Sequence, residues 1–109
     1  MVNNFSSSEV CYIKCVNLHT RSICNKLNEL NFLLASKNIG LACLTESWLG
    51  NHITNSMIVQ GNRYKVYRKD RDSRGGGVAI IASADYVTQQ VLLPAKFNSL
   101  EIVCIDIIG

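Results

Sequence analysis

The sequence predicts an α/β fold built on a strand–helix–strand unit. Three observations predict it: a β-rich run, then an amphipathic helical stretch, then a short apolar run. A continuous apolar second strand after a helix is the pattern of parallel pairing, because such strands are buried on both faces. The chain has 109 residues, 48% hydrophobic and 17% charged. That is enough apolar content for a core and argues against disorder of the whole chain. The length suits one modest domain or part of a larger one.

The elements follow in order. Residues 1–9 are polar and rich in Ser and Asn, and predict a disordered start with no secretory signal. Residues 10–109 form the structured part. Val10 to Asn17 (VCYIKCVN) is rich in β-formers and predicts a strand. Ile23, Leu27, Leu30 and Leu34 repeat along one helical face, with Ser22 as the expected N-cap. The helix should end near Ser36–Asn38, where Lys37 suits the negative end of the helix dipole. Gly40 precedes the apolar strand Leu41 to Leu44, which closes in Thr45-Glu46-Ser47-Trp48.

Residues 50–62 are polar and irregular. Tyr64 to Arg68 alternates as a strand. Lys69 to Gly77 (KDRDSRGGG) reads as a charged turn, and Val78 to Ala82 as a buried strand. Val87 to Leu93 and Leu100 to Ile108 are further strands, separated by Pro94 and Asn98-Ser99. No run of about 18 apolar residues occurs, so neither a membrane span nor a membrane partner is expected.

The five cysteines (Cys11, Cys15, Cys24, Cys43, Cys104) are odd in number and lack zinc-site spacing. They read as buried reduced thiols, which places the chain inside the cell, in nucleus or cytoplasm.

Few residues could carry chemistry. Glu46 follows the apolar run and should stand at the carboxyl end of a buried strand, the edge where open α/β sheets gather ligands. A carboxylate there could hold a hard cation such as Mg²⁺, although a lone Glu after a strand is more often a cap. Asn17 and His19 end the first strand and would lie near Glu46 if the two strands are parallel. Either could orient a phosphate or a water. Residues 63–74 carry six basic and two acidic residues, a local balance of +4 against +3 for the whole chain. The excess positive charge therefore sits on one hairpin, where Arg68, Lys69, Arg71 and Arg74 are candidate phosphate contacts. Local Asp–Arg pairing is the blander account of the same residues. Gly75-Gly76-Gly77 lacks the Lys-Ser/Thr of a P-loop and reads as a tight turn. His52 has no partner in sequence.

Taken together, NLHTRSICNKLNELNFLLASKNIGLACLTESWL, YKVYRKDRDSRGGGVAII and LEIVCIDI resemble the endonuclease/exonuclease/phosphatase superfamily. More narrowly, they resemble the apurinic-endonuclease-like domain of non-LTR (LINE-type) retrotransposons. The resemblance runs from about Cys15 to Ile108 and covers roughly the front half of that domain. It implies a partial two-sheet α/β sandwich and Mg²⁺-dependent nicking of target DNA to prime reverse transcription.

In that family the Glu after the second strand binds the metal, which maps to Glu46. The family Asn maps to His19 by the spacing from Arg21-Ser22 to Glu46, or to Asn17 if the loop is two residues longer. The His19 register is favoured. Ile39-Gly40 departs from the family's Asp-Ile. No Asp-x-Asn and no Asp-His occurs anywhere, so the chain is expected to be inactive alone and to self-associate through uncovered strands. A non-enzymatic nucleic-acid-binding remnant and a phosphatase branch of the same superfamily are the alternatives.

Overall fold

The predicted βαβ unit is present. The computed structural model describes residues 12–71 and 75–108. The expected polar start and the first two residues of the predicted first strand, Val10 and Cys11, lie outside them, as does Arg74. Strand β1 (Cys15–His19) leads through helix α1 (Leu27–Ser36) to strand β2 (Leu41–Thr45). The two strands pair in parallel, from Cys15 opposite Leu41 to His19 opposite Thr45. Among the described residues, the first strand is therefore displaced to the carboxyl side of the predicted span.

The helix starts later than its apolar period suggests. Ser22 is not its N-cap: its φ is +82°, and its N–H donates to the Glu46 carbonyl at 2.7 Å. The Ile23 N–H likewise donates to the Ser47 carbonyl at 3.0 Å. These bonds prolong the β1–β2 pairing and hold residues 22–23 away from helical geometry. Ile23 still enters the core, but from a loop.

The other end of α1 follows local rules. Asn38 takes a φ of +53°, the Ile39 N–H reaches the Leu34 carbonyl at 3.0 Å, and the Asn38 N–H reaches that of Ala35 at 3.4 Å. This is the Schellman closure, with Asn in the left-handed position. The Tyr64 hydroxyl, 3.1 Å from the Leu34 carbonyl and 2.9 Å from that of Ile39, ties this end to the sheet.

A short helix α2 (Asn55–Ile58) occupies the irregular middle. Strands β3 (Tyr64–Lys69) and β4 (Val78–Ser83) then form the expected antiparallel hairpin. The four-stranded sheet has the order β1-β2-β4-β3, with β4 antiparallel to both neighbours. Alternation sends Ala42, Leu44, Ala79 and Ile81 to one face, where they pack under Leu30 and Leu34 of α1 and against Ile58 and Val59. The opposite face carries Asn17, His19, Cys43, Ile80 and Tyr67, all at least partly exposed.

The last two strands are shorter than predicted. Strand β5 (Val87–Gln90) and strand β6 (Ile105–Ile108) form a separate antiparallel ribbon. Residues 98–101 do not pair because their polar groups are taken elsewhere: Lys69 Nζ donates to the Asn98 and Leu100 carbonyls, and Glu101 joins Arg71. Leu92, expected in a strand, is 90% exposed. The fold is thus α/β with sheets of four and two strands. Among the described residues, no helix is long and apolar enough to cross a membrane.

Candidate functional site

The carboxyl ends of β1 and β2 lie side by side, as parallel pairing requires, and bring two of the predicted residues together. His19 is opposite Thr45, and Glu46 is the next residue. His19 Nδ1 lies 3.1 Å from Thr45 Oγ1. Asn17 sits one pleat back on the same face, opposite Cys43. Beneath this edge Thr20 is buried. Its hydroxyl is 3.0 Å from the carbonyls of both Thr45 and Glu46, and its own carbonyl accepts from Lys26 Nζ at 2.7 Å.

The backbone at this edge is unusual. Four of the five described non-glycine residues with positive φ are Arg21, Ser22, Glu46 and Trp48. A left-handed non-glycine residue costs about 1–2 kcal/mol, and such residues concentrate at ligand sites. At Glu46, φ is +55° and the carbonyl is committed to Ser22 and Thr20. The residue is half-buried, and its carboxylate has no ion pair among the described residues.

The triple-glycine turn closes the other side of the edge. Gly75, Gly76 and Gly77 have φ of +84°, +68° and +88°. The Ser47 N–H donates to the Gly77 carbonyl at 3.2 Å, and the Trp48 N–H to that of Gly76 at 2.8 Å. These bonds set the turn against the chain leaving β2. Ser47 is fully buried, and its Oγ has no hydrogen-bond partner among the described residues. A Cβ on Gly77 would stand 2.7 Å from that oxygen. Only glycine suits both the φ and the space there.

The basic hairpin is largely engaged within the molecule. Arg68 is 15% exposed. It pairs with Asp70 at 2.7 Å and donates to Asn55 Oδ1 at 3.0 Å and the Gly50 carbonyl at 2.9 Å. It therefore ties α2 and its entry loop to β3. Lys69 Nζ reaches the Leu100 carbonyl at 2.6 Å and that of Asn98 at 2.9 Å. Arg71 Nε pairs with Glu101 Oε2, whose other oxygen accepts the Gly77 N–H at 2.9 Å. The Arg71 bond, then the Gly77 N–H, holds the Glu101 carboxyl below the usual carboxylate range. Glu101 and Thr20 carried no sequence signal beyond an acid opening an apolar run and a polar residue ending a strand.

Among the described residues, no cluster of three or more His, Cys, Asp or Glu gathers. Four cysteines are described, and all are free. The expectation that they are buried needs correction: Cys15 is exposed, because it lies on the open face of edge strand β1, and the other three are half-buried. Burial, and secondarily Cys15, pushes the Cys43 thiol above its ordinary pKa.

Comparison with protein-family models finds no match for this chain, and comparison with curated proteins finds none either.

Proposed function

We propose that this chain is the front part of a Mg²⁺-dependent phosphodiesterase domain of the endonuclease/exonuclease/phosphatase type. Its parent activity would be the nicking of target DNA for retrotransposition. The observation that supports this most is Glu46: a half-buried residue at the carboxyl end of β2, one position past the partner of His19, whose carboxylate has no ion pair among the described residues. An unpaired carboxylate suits a hard cation.

Mg²⁺ usually keeps several waters and takes only one or two carboxylates besides phosphate oxygens, so Glu46 fits it as a single protein ligand. When bound, the cation polarises a phosphoryl oxygen. The chain's own residues position and polarise. Thr20 and Ser22 fix the Glu46 backbone through its carbonyl. Thr45 orients the His19 ring through Nδ1, which leaves Nε2 to meet a phosphate or a water. No Asp-x-Asn or Asp-His pair is present to activate that water. The chain alone is therefore proposed to bind without cleaving.

The hairpin alternative, a nucleic-acid-binding module without catalysis, is less favoured. Arg68 is committed to Asp70, Asn55 and the Gly50 carbonyl, and Lys69 to two carbonyls, so the cluster is not presented as one basic face, although Lys65 and Arg71 are exposed.

Paramagnetic Mn²⁺, added in place of Mg²⁺, tests the site by NMR. Amides of residues 19–20 and 45–48 should broaden, and Glu46→Gln should abolish the effect. Broadening elsewhere, or broadening that survives Glu46→Gln, would sink the assignment. Plasmid nicking by the chain that disappears in Glu46→Ala would overturn the claim that it is inactive alone.

A further inference from the structure

Glu101 sits where an external anion would sit. One carboxylate oxygen takes Arg71 Nε, and the other takes the Gly77 N–H from a turn of three positive-φ glycines. Arg71 lies over Gly76, where a Cβ would strike its guanidinium. Backbone N–H groups in such turns, set beside a guanidinium, form anion-binding concavities.

We propose that Arg71 and the Gly77 N–H form an oxyanion cradle, and that the Glu101 carboxylate is its resident anion, displaced by a phosphate group.

Three observations favour exchange. The pair is accessible, with Arg71 45% and Glu101 30% exposed in their side chains. Arg71 uses only Nε toward Glu101, and among the described residues its two terminal amines have no partner, which suits the bidentate contact a phosphate offers. Inorganic phosphate and phosphate monoesters also carry more charge and more acceptor oxygens than a carboxylate, whereas a phosphodiester matches it in both. The cradle adjoins the chain leaving β2 through the Ser47–Gly77 and Trp48–Gly76 bonds. It does not depend on Glu46 holding a cation.

The test omits divalent metal. Inorganic phosphate is titrated into wild-type chain, Glu101→Gln and Arg71→Gln, with the Gly77 amide and the Arg71 Nε–H followed by NMR. Glu101→Gln should tighten phosphate binding about tenfold by removing the competing charge. Arg71→Gln should abolish it. A parallel arm uses a ten-residue thymidine oligonucleotide: tighter binding than inorganic phosphate marks a diester backbone as the source, and equal or weaker binding marks the free ion.

Equal phosphate affinity in wild type and Glu101→Gln overturns the proposal. So does a Gly77 amide that stays still at saturating phosphate. If Glu101→Gln fails to fold, the wild-type chain carries the test at higher phosphate, and stationary Gly77 and Arg71 signals overturn it. The Mn²⁺ titration reads the Glu46 assignment by itself, and this test contains no divalent metal, so failure here is separable from failure of the metal assignment.

Discussion

Gly77→Ala and Ser47→Ala form a pair whose energetics can be worked from geometry. An alanine at position 77 must hold a φ of +88°, which costs about 1–2 kcal/mol. Its Cβ would also stand 2.7 Å from Ser47 Oγ, inside contact distance, beside a residue with no exposed surface to yield into. Overpacking of this kind costs about 1–3 kcal/mol. Together the two effects reach about 2–5 kcal/mol. A 109-residue chain has about 5–15 kcal/mol of stability in all. With a urea slope near 1.5 kcal/mol/M, the midpoint should fall by roughly 1–3 M.

Ser47→Ala should act in the opposite direction. It removes a buried hydroxyl oxygen that lacks a partner among the described residues, and relief of that desolvation is worth about 1 kcal/mol. In the double variant the atom nearest the new Cβ is gone while the φ strain remains. The cycle should therefore show favourable coupling of about 1–2 kcal/mol. Urea unfolding followed by tryptophan fluorescence reads all four proteins, since Trp48 adjoins the site. Additivity within about 0.5 kcal/mol, or a destabilising Ser47→Ala, would refute the reasoning.

Two further outcomes are expected. Tyr64→Phe removes the hydroxyl that joins β3 to the end of α1 and should cost about 0.5–1.5 kcal/mol in the same urea assay; no change would show that the contact is not held in solution. The Glu101 carboxyl, lowered by Arg71 and Gly77, supports its contact with those residues above its unfolded pKa and loses that support as pH falls through its folded value. A side-chain carboxyl NMR titration should place its midpoint below that of an ordinary glutamate, and a midpoint at or above that value would contradict the contact.

Legibility in the sequence tracked the range of the forces involved. The apolar run Leu41 to Leu44 and the spacing of Leu27, Leu30 and Leu34 announced β2 and α1, because burial periodicity is local information. Glu46 was placed correctly at a strand end for the same reason. Arg68 has a partner two residues away in Asp70, so its pairing was readable as well. Ser22 misled, because long-range bonds from its N–H to Glu46 and from Ile23 to Ser47 outcompete capping geometry. Glu101 was invisible as a site residue, since its partners lie 24 and 30 positions away. The loss of residues 100–101 from the last predicted strand has the same origin: Lys69 and Arg71 take the Leu100 carbonyl and the Glu101 carboxylate.

The ribbon of β5 and β6 is joined to the main sheet by few polar bonds: Tyr67 Oη to Thr88 Oγ1 at 2.7 Å, Lys69 to two carbonyls, and Arg71 and Gly77 to Glu101. None of the fully buried core lies in it. Two-stranded ribbons are marginal by themselves. The ribbon is therefore expected to open sub-globally, at lower free energy than the four-stranded body. Because Glu101 is one of the pins, an anion that takes its place in the cradle would also loosen the ribbon and raise amide exchange along residues 87–108.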